Sequence, residues 1–269
     1  MATYLDELIG GARARVVAAR AREPLPDLRS RALRTPPPPS FRAALSGPGV
    51  AVIGEVKRAS PSMGPLGPDL DAAALAVAYR EGGAAAISVV TEPSQFRGSL
   101  ADLVAVAALG FPTLCKDFIV HPYQIWQARA AGAAAVLLIV AAVSDEALTV
   151  LVDTCAEAGL DALVEVHDAD EADRAIDAGA TLVGINARDL RTFEVDRELF
   201  ARVRPHLPFN VLAVAESGVR GPDDVLTAAR LGADAVLVGE SLITAPDPRA
   251  SVALLVSAGA TPLTASEYR

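Results

Sequence analysis

An α/β fold is predicted: a (β/α)8 TIM barrel over residues 49–269, with an N-terminal helical extension over 1–48, forming one domain. Three observations predict it. A phrase recurs along the chain, in which an alanine-rich helical pattern ends in glycine and leads into a short apolar run. With three further runs lacking the full phrase, the runs number eight, each short and rich in Val, Ile and Leu, as buried parallel strands are. No Gly-rich dinucleotide loop follows the first run, as a doubly wound open sheet would require.

The extension comes first. Leu5, Leu8, Ile9, Ala12 and Val16 recur at helical spacing and predict an amphipathic helix packed on the barrel. Pro36 to Pro39 must be extended, and Ser40 is a good N-cap for a short helix after it. Strands are then predicted over 50–57, 85–90, 112–116, 134–140, 162–166, 181–185, 211–216 and 235–238. Gly82-Gly83, Gly132, Gly159, Gly179 and Gly232 each precede one, where a left-handed residue closes the preceding helix. Strands alternating with helices give a parallel sheet, and eight such units close into a barrel.

Composition narrows the function. At 269 residues the chain suits one barrel, and 52% hydrophobic residues can fill a large core. The apolar run 133–143 is too short to span a bilayer. Asp6 and Glu7 argue against a signal peptide. Cys115 and Cys155 lack metal-type spacing and read as reduced thiols. A cytoplasmic enzyme is expected, a monomer without metal, cofactor or membrane contact. A net charge of −9 excludes broad nucleic-acid binding. An anionic ligand therefore needs a local site of a few cations and backbone N–H groups.

Of the 24 basic residues only Lys57 and Lys116 are lysine. A codon bias toward arginine explains the rarity but not the positions. Arginine does not release its proton in proteins, whereas lysine acts as an acid or base. Both lysines fall at predicted strand ends, where barrels build their active sites. Alternation places Ile53, Glu55 and Lys57 on one face of the first strand. Glu165 lies in the fifth strand, Asn186 and Arg188 at the end of the sixth, and Glu216 at the end of the seventh. An ion-pair plug is the structural alternative, but such plugs stabilise weakly compared with apolar packing. Three carboxylates with two lysines suit acid–base chemistry instead.

The last two strands end in Glu216-Ser217-Gly218-Val219 and Val238-Gly239-Glu240-Ser241. Glycine there lets backbone N–H groups reach an anion, the usual phosphate position in barrels. Ser60 and Ser62, past the first strand, add hydroxyls. Other residues read as structural: His121 as a helix cap or loop anchor, His167 at the rim and Trp126 as packing. Asp168, Asp170, Glu171 and Asp173 read as a solvated helix start favoured by the helix dipole.

Glu55-Val56-Lys57-Arg58-Ala59-Ser60-Pro61-Ser62 resembles the first-strand signature of the indole-3-glycerol phosphate synthase family. The resemblance continues through Ser88-Val89-Val90-Thr91-Glu92, Lys116-Asp117-Phe118-Ile119, Leu163-Val164-Glu165-Val166-His167, Gly184 to Leu190, Ala215 to Val219 and Leu237-Val238-Gly239-Glu240. It covers essentially the whole chain, whose arginine- and alanine-rich style resembles that of actinobacterial members. Its substrate would be 1-(2-carboxyphenylamino)-1-deoxyribulose 5-phosphate, closed to an indole with loss of carbon dioxide and water. It gives Lys116 the role of acid at the carbonyl oxygen and Glu165 that of general base. Lys57 would pair with the substrate carboxylate and serve as an acid in dehydration, with Glu55 assisting. Asn186, Arg188 and Glu216 would hold sugar hydroxyls and the charge network. Ser60, Ser217, Gly218, Gly239 and the backbone of Glu240 would hold the phosphate. Gly54 and Cys115 depart from the family's common alanine and arginine. Alternation points Cys115 away from the barrel interior, so no mechanistic effect is expected.

Two other readings compete. A sugar-phosphate isomerase such as phosphoribosylanthranilate isomerase needs one acid–base pair and leaves a lysine and a carboxylate unexplained. A non-catalytic phosphate-binding barrel would have lost at least one of Lys57, Lys116 and Glu165.

Overall fold

The computed structural model describes residues 3–260 except 62, 68, 69, 190 and 191, so Ser62 lies outside the described residues. Eight parallel strands close into a barrel in chain order. They are β1 (Ala51–Val56), β2 (Ala86–Val90), β3 (Thr113–Lys116) and β4 (Ala135–Ile139), then β5 (Asp161–Val166), β6 (Leu182–Asn186), β7 (Leu212–Glu216) and β8 (Ala235–Val238). The seam pairs β1 with β8, Ala51 against Ala235. Strand ends fall within one residue of the sequence expectation, and Lys57 lies just beyond β1 rather than in it. Gly83, Gly132, Gly159, Gly179 and Gly232 all take positive φ at the turns into strands, where a side chain would be strained.

Period-two alternation sorts the core into two layers. Val52, Ile87, Val89, Cys115, Val136, Leu138, Val164, Ile185 and Val236 face outward and pack under the helices. Ile53, Ala86, Leu114, Ala135, Leu137, Leu163, Val214 and Leu237 fill the interior. Two residues further along the same inward rows, Ile53 gives way to Glu55, Leu114 to Lys116, Leu163 to Glu165 and Val214 to Glu216. The interior is therefore apolar at depth and charged at its C-terminal mouth.

The extension wraps the barrel from end to end. Helix α1 (Tyr4–Arg22) opens with a capping box between Thr3 and Asp6, and buries Leu5, Leu8, Ala12 and Val16. Leu5, Leu8 and Ala12 join the interior cluster, while α2 (Leu25–Arg34) packs Leu28 and Ala32 into the outer one. Arg129 donates to the carbonyls of Thr35 and Pro36, fixing the start of the proline run. Ser40 then caps α3 (Phe41–Leu45), which sinks Phe41 and Leu45 into the interior. Its Arg42 N–H bonds Asp161 at the first residue of β5, at 2.9 Å, so α3 lies at the N-terminal end of the barrel. No helix among the described residues is long and apolar enough to cross a membrane.

Candidate active site

The mouth encloses a cavity of about 320 Å³ lined by Glu55, Lys57, Lys116, Glu165, Asn186 and Glu216, among others. Five strand ends converge on it. Lys116 Nζ lies 3.3 Å from Glu165 Oε2 and 3.1 Å from Glu216 Oε2, and Lys57 Nζ lies 2.8 Å from Glu55 Oε1. Two glycines make room for the acids. A Cβ at Gly184 would collide with the Glu216 carboxylate, and one at Gly239 would come within 2.5 Å of Glu55 Oε1.

Burial raises the cost of every charge here, and the counter-charges decide the outcome. For Glu55, burial pushes the carboxyl up, but Lys57 and Lys116 outweigh it and hold it below its ordinary value. Glu165 is likewise pushed up by burial and drawn down further by Lys116, His167 and Asn186. Glu216 is the exception: burial prevails over Lys116, and the ionised Glu165 adds to it, so its carboxyl is raised to about 7. Burial acts against the Lys116 charge, yet Glu216, Glu165 and Glu55 together hold its proton above the ordinary lysine value. The cluster thus joins the charged amine of Lys116 to a carboxyl held below its ordinary value, Glu165, and to one raised to about 7, Glu216.

The rim carries the predicted anion groups. Ser217 takes a left-handed φ of 63°, rare for a residue with a side chain, and Gly218 follows at 80°. The Ser217 hydroxyl donates to Asn186 Oδ1 at 2.7 Å, which also accepts the Arg188 N–H at 3.1 Å. Gly239 precedes the short helix Glu240–Ile243. Ser60 is buried in a two-residue pairing with Gly64–Pro65, its Oγ accepting the Met63 N–H. Arg188 lines the cavity from two residues past β6, where it bridges to Val195 and donates to the Phe193 carbonyl. Its other nitrogen is 3.8 Å from Glu240, so it belongs to the rim and not to the buried charges.

Several participants carried no role in the sequence reading. Tyr4, at the start of α1, meets Phe193 edge-on at 4.9 Å, and both line the cavity with Phe96 and Phe118. Arg15, also on α1, reaches Asp117 and Glu92. Glu92 is 1% exposed and accepts backbone N–H groups of Ser94, Gln95 and Phe96. The signal of these two acids lay in their position immediately after the second and third strands, but their partner on α1 is 77 and 102 residues away.

The structural readings hold in part. His121 caps the helix Pro122–Ala130 through Nδ1, and Trp126 is buried with Arg29 stacked over it. Cys115 packs in the outer layer. Glu171 departs from the solvated reading: it is half-buried, and its Oε2 accepts the His167 backbone N–H at 2.8 Å.

Comparison with known proteins bears on this site. Residues 5–255 match the family model for indole-3-glycerol phosphate synthase. The chain is 56% identical to the indole-3-glycerol phosphate synthase of Mycolicibacterium gilvum over 262 residues, covering 97% of this chain and 96% of that one. It is also 56% identical to the Streptomyces griseus protein of that name, covering 97% of each. Among solved structures it resembles thiamine phosphate pyrophosphorylase from Pyrococcus furiosus, with a TM-score of 0.61 and 18% identity, covering 81% of this chain and 97% of that one. At that identity the likeness concerns the barrel alone.

Proposed function

The chain belongs to the indole-3-glycerol phosphate synthase family, and we propose how its mouth residues divide the work of that reaction. The enzyme is a carboxy-lyase of tryptophan biosynthesis. It closes 1-(2-carboxyphenylamino)-1-deoxyribulose 5-phosphate to indole-3-glycerol phosphate, releasing carbon dioxide and water. The ring carbon that bears the carboxylate attacks the ketone carbon, and the carbonyl oxygen must gain a proton as charge develops. Lys116 supplies it. Lys57 holds the departing carboxylate by charge, and its ammonium then assists loss of the new hydroxyl as water. Glu165 accepts the proton that leaves the neighbouring methylene carbon as the double bond forms, with Glu55 assisting. Asn186, Arg188 and Glu216 hold the sugar hydroxyls; Glu216 Oε1, buried without a protein partner, is an acceptor suited to one. The phosphate sits at the rim formed by Ser60, Ser217, Gly218, Gly239 and the backbone of Glu240.

The observation that carries this reading is the placement of Lys116 Nζ within 3.3 Å of one buried carboxylate and 3.1 Å of another. An acid and a base then act across a few ångströms without reorganising solvent. Glu165→Gln preserves shape and hydrogen bonding but cannot take a proton, and is expected to lower kcat by roughly 10²–10⁴. Absorbance of the indole product measures it, and wild-type turnover would remove Glu165 from the mechanism. Extension and barrel act as one domain, since α1 supplies Tyr4 to the cavity and Arg15 as partner to Asp117 and Glu92, which line it. A cavity completed within one chain suits a monomer, and two buried free cysteines suit the cytoplasm.

A further inference from the structure

At the end of β5, two buried polar atoms without a hydrogen bond among the described residues face each other: Glu165 Oε1 and, just past the strand, His167 Nε2, 3.4 Å apart. The other ring nitrogen, Nδ1, lies 3.1 Å from Glu171 Oε2, the same oxygen that accepts the His167 backbone N–H. Glu171 is itself fixed in the first turn of the helix Ala169–Asp177, where its N–H bonds Asp168 at 2.8 Å. A carboxylate outside the cavity thus grips one edge of the imidazole and leaves the opposite edge facing the base. His167 is not among the residues that line the cavity. The ionisable groups around the ring are Glu171 on the following helix and Glu165 on β5, with Glu216 on β7, which holds its own proton to about 7, contributing least. Lys116 stands at the other oxygen of Glu165. Burial favours the neutral ring, but these carboxylates outweigh it and raise its proton affinity above the ordinary histidine value.

We propose that His167 is a positioning residue that holds Glu165 as an anion while Lys116 gives up its proton. The inference rests on Glu165 being the base. Among the described residues, Lys116 is the other cation in contact with Glu165, and it is the group that must part with charge. A buried ion pair is costly. Direct passage of a proton from Lys116 to Glu165 would relieve it and leave neither acid nor base. A second positive charge, fixed by Glu171 on the far oxygen of Glu165, opposes that collapse. His167 transfers no proton itself.

The chain has three histidines, so the His167 ring signal is identified in proton NMR by its loss in His167→Gln. In the wild type it should titrate above 6.5, and in Glu165→Gln and Glu171→Gln its midpoint should fall by about one pH unit. Glutamine at 167 can keep a donor but no charge. His167→Gln should lower kcat about tenfold, move the acid limb of the kcat profile up by about one unit, and leave KM within about twofold. Glu171→Gln, which does not touch the cavity, should move the limb the same way, and add nothing in the His167→Gln background. It carries the kinetic test if His167→Gln does not fold. A His167 midpoint indifferent to Glu165→Gln overturns the inference, as does a wild-type acid limb in both folded variants. Should Glu165→Gln turn over normally, the base assignment fails and this inference with it. An inactive Glu165→Gln beside an unmoved limb defeats only the role of His167.

Discussion

Lys57 and Lys116 stand on the same rim, yet their surroundings differ in one decisive respect. Among the described residues Lys57 meets one carboxylate, Glu55, at 2.8 Å, and that carboxyl is held below its ordinary value despite burial. Lys116 is shared between Glu165 and Glu216, and the second of these is raised. Glu55 is held down by two cations, Lys57 and Lys116. Lys116 must also serve Glu165 and Glu216, and the last of these is left with its proton up to about 7. The Lys57 half is therefore a fixed ion pair suited to holding a substrate charge. The Lys116 half contains a proton that can move, which is what acid–base catalysis needs.

The strongest way to break this comparison is to exchange each lysine for arginine, the residue the chain uses at every other basic position. Arginine keeps the charge but holds its protons too tightly to donate one. Lys116→Arg should lose roughly 10²–10⁴ in kcat with substrate affinity little changed. Lys57→Arg should lose less, about tenfold, because pairing with the substrate carboxylate survives the exchange and only the assistance to dehydration is weakened. Equal losses, measured with circular dichroism to confirm folding, would erase the distinction between the two halves.

A smaller effect is expected from the glycine beneath Glu216. Gly184→Ala places a methyl group where that carboxylate lies, and should cost about 1–3 kcal/mol in urea unfolding. Most of that cost should vanish in a Glu216→Ala background, where the space is open. Persistence of the full cost would mean that the backbone of β6, and not the carboxylate, requires glycine.

The last test is a pH dependence. Glu216 holds its proton to about 7 in the folded protein, against an ordinary value of 4.5. The folded state therefore binds more protons than the unfolded chain between these values, and this contribution to stability is lost as pH rises through the window. Glu216→Gln cannot ionise. Its melting temperature relative to the wild type should rise between pH 5 and pH 8, and a flat difference would place the proton elsewhere in the cluster.

Most of the mouth is legible in the sequence because it depends on period and position alone. Strand alternation puts Glu55 and Glu165 in line with Ile53 and Leu163, and the structure buries all four. The rarity of lysine draws attention to Lys57 and Lys116 without any geometry. Arg188 lines the cavity from beyond the strand, because the chain leaves β6 after Asn186 and turns to pair with Val195. The solvated reading of Glu171 failed. A helix start is exposed on average, but this one abuts a histidine that its own strand turns toward the base.

By itself, then, the sequence determined the barrel, its eight strands, the helix-closing glycines and the charged ends of the inward rows. These follow from local conformational preference and from the two-residue period of a strand, which need no knowledge of what lies across the barrel. Only the tertiary structure decided which acid keeps a proton, since that depends on how many carboxylates share Lys116 across β3, β5 and β7. Only it brought Tyr4 and Arg15 of α1 to the cavity wall, far along the chain from the acids and aromatics they meet. Charges interact through distance and burial rather than through sequence separation, and closure of the barrel sets both.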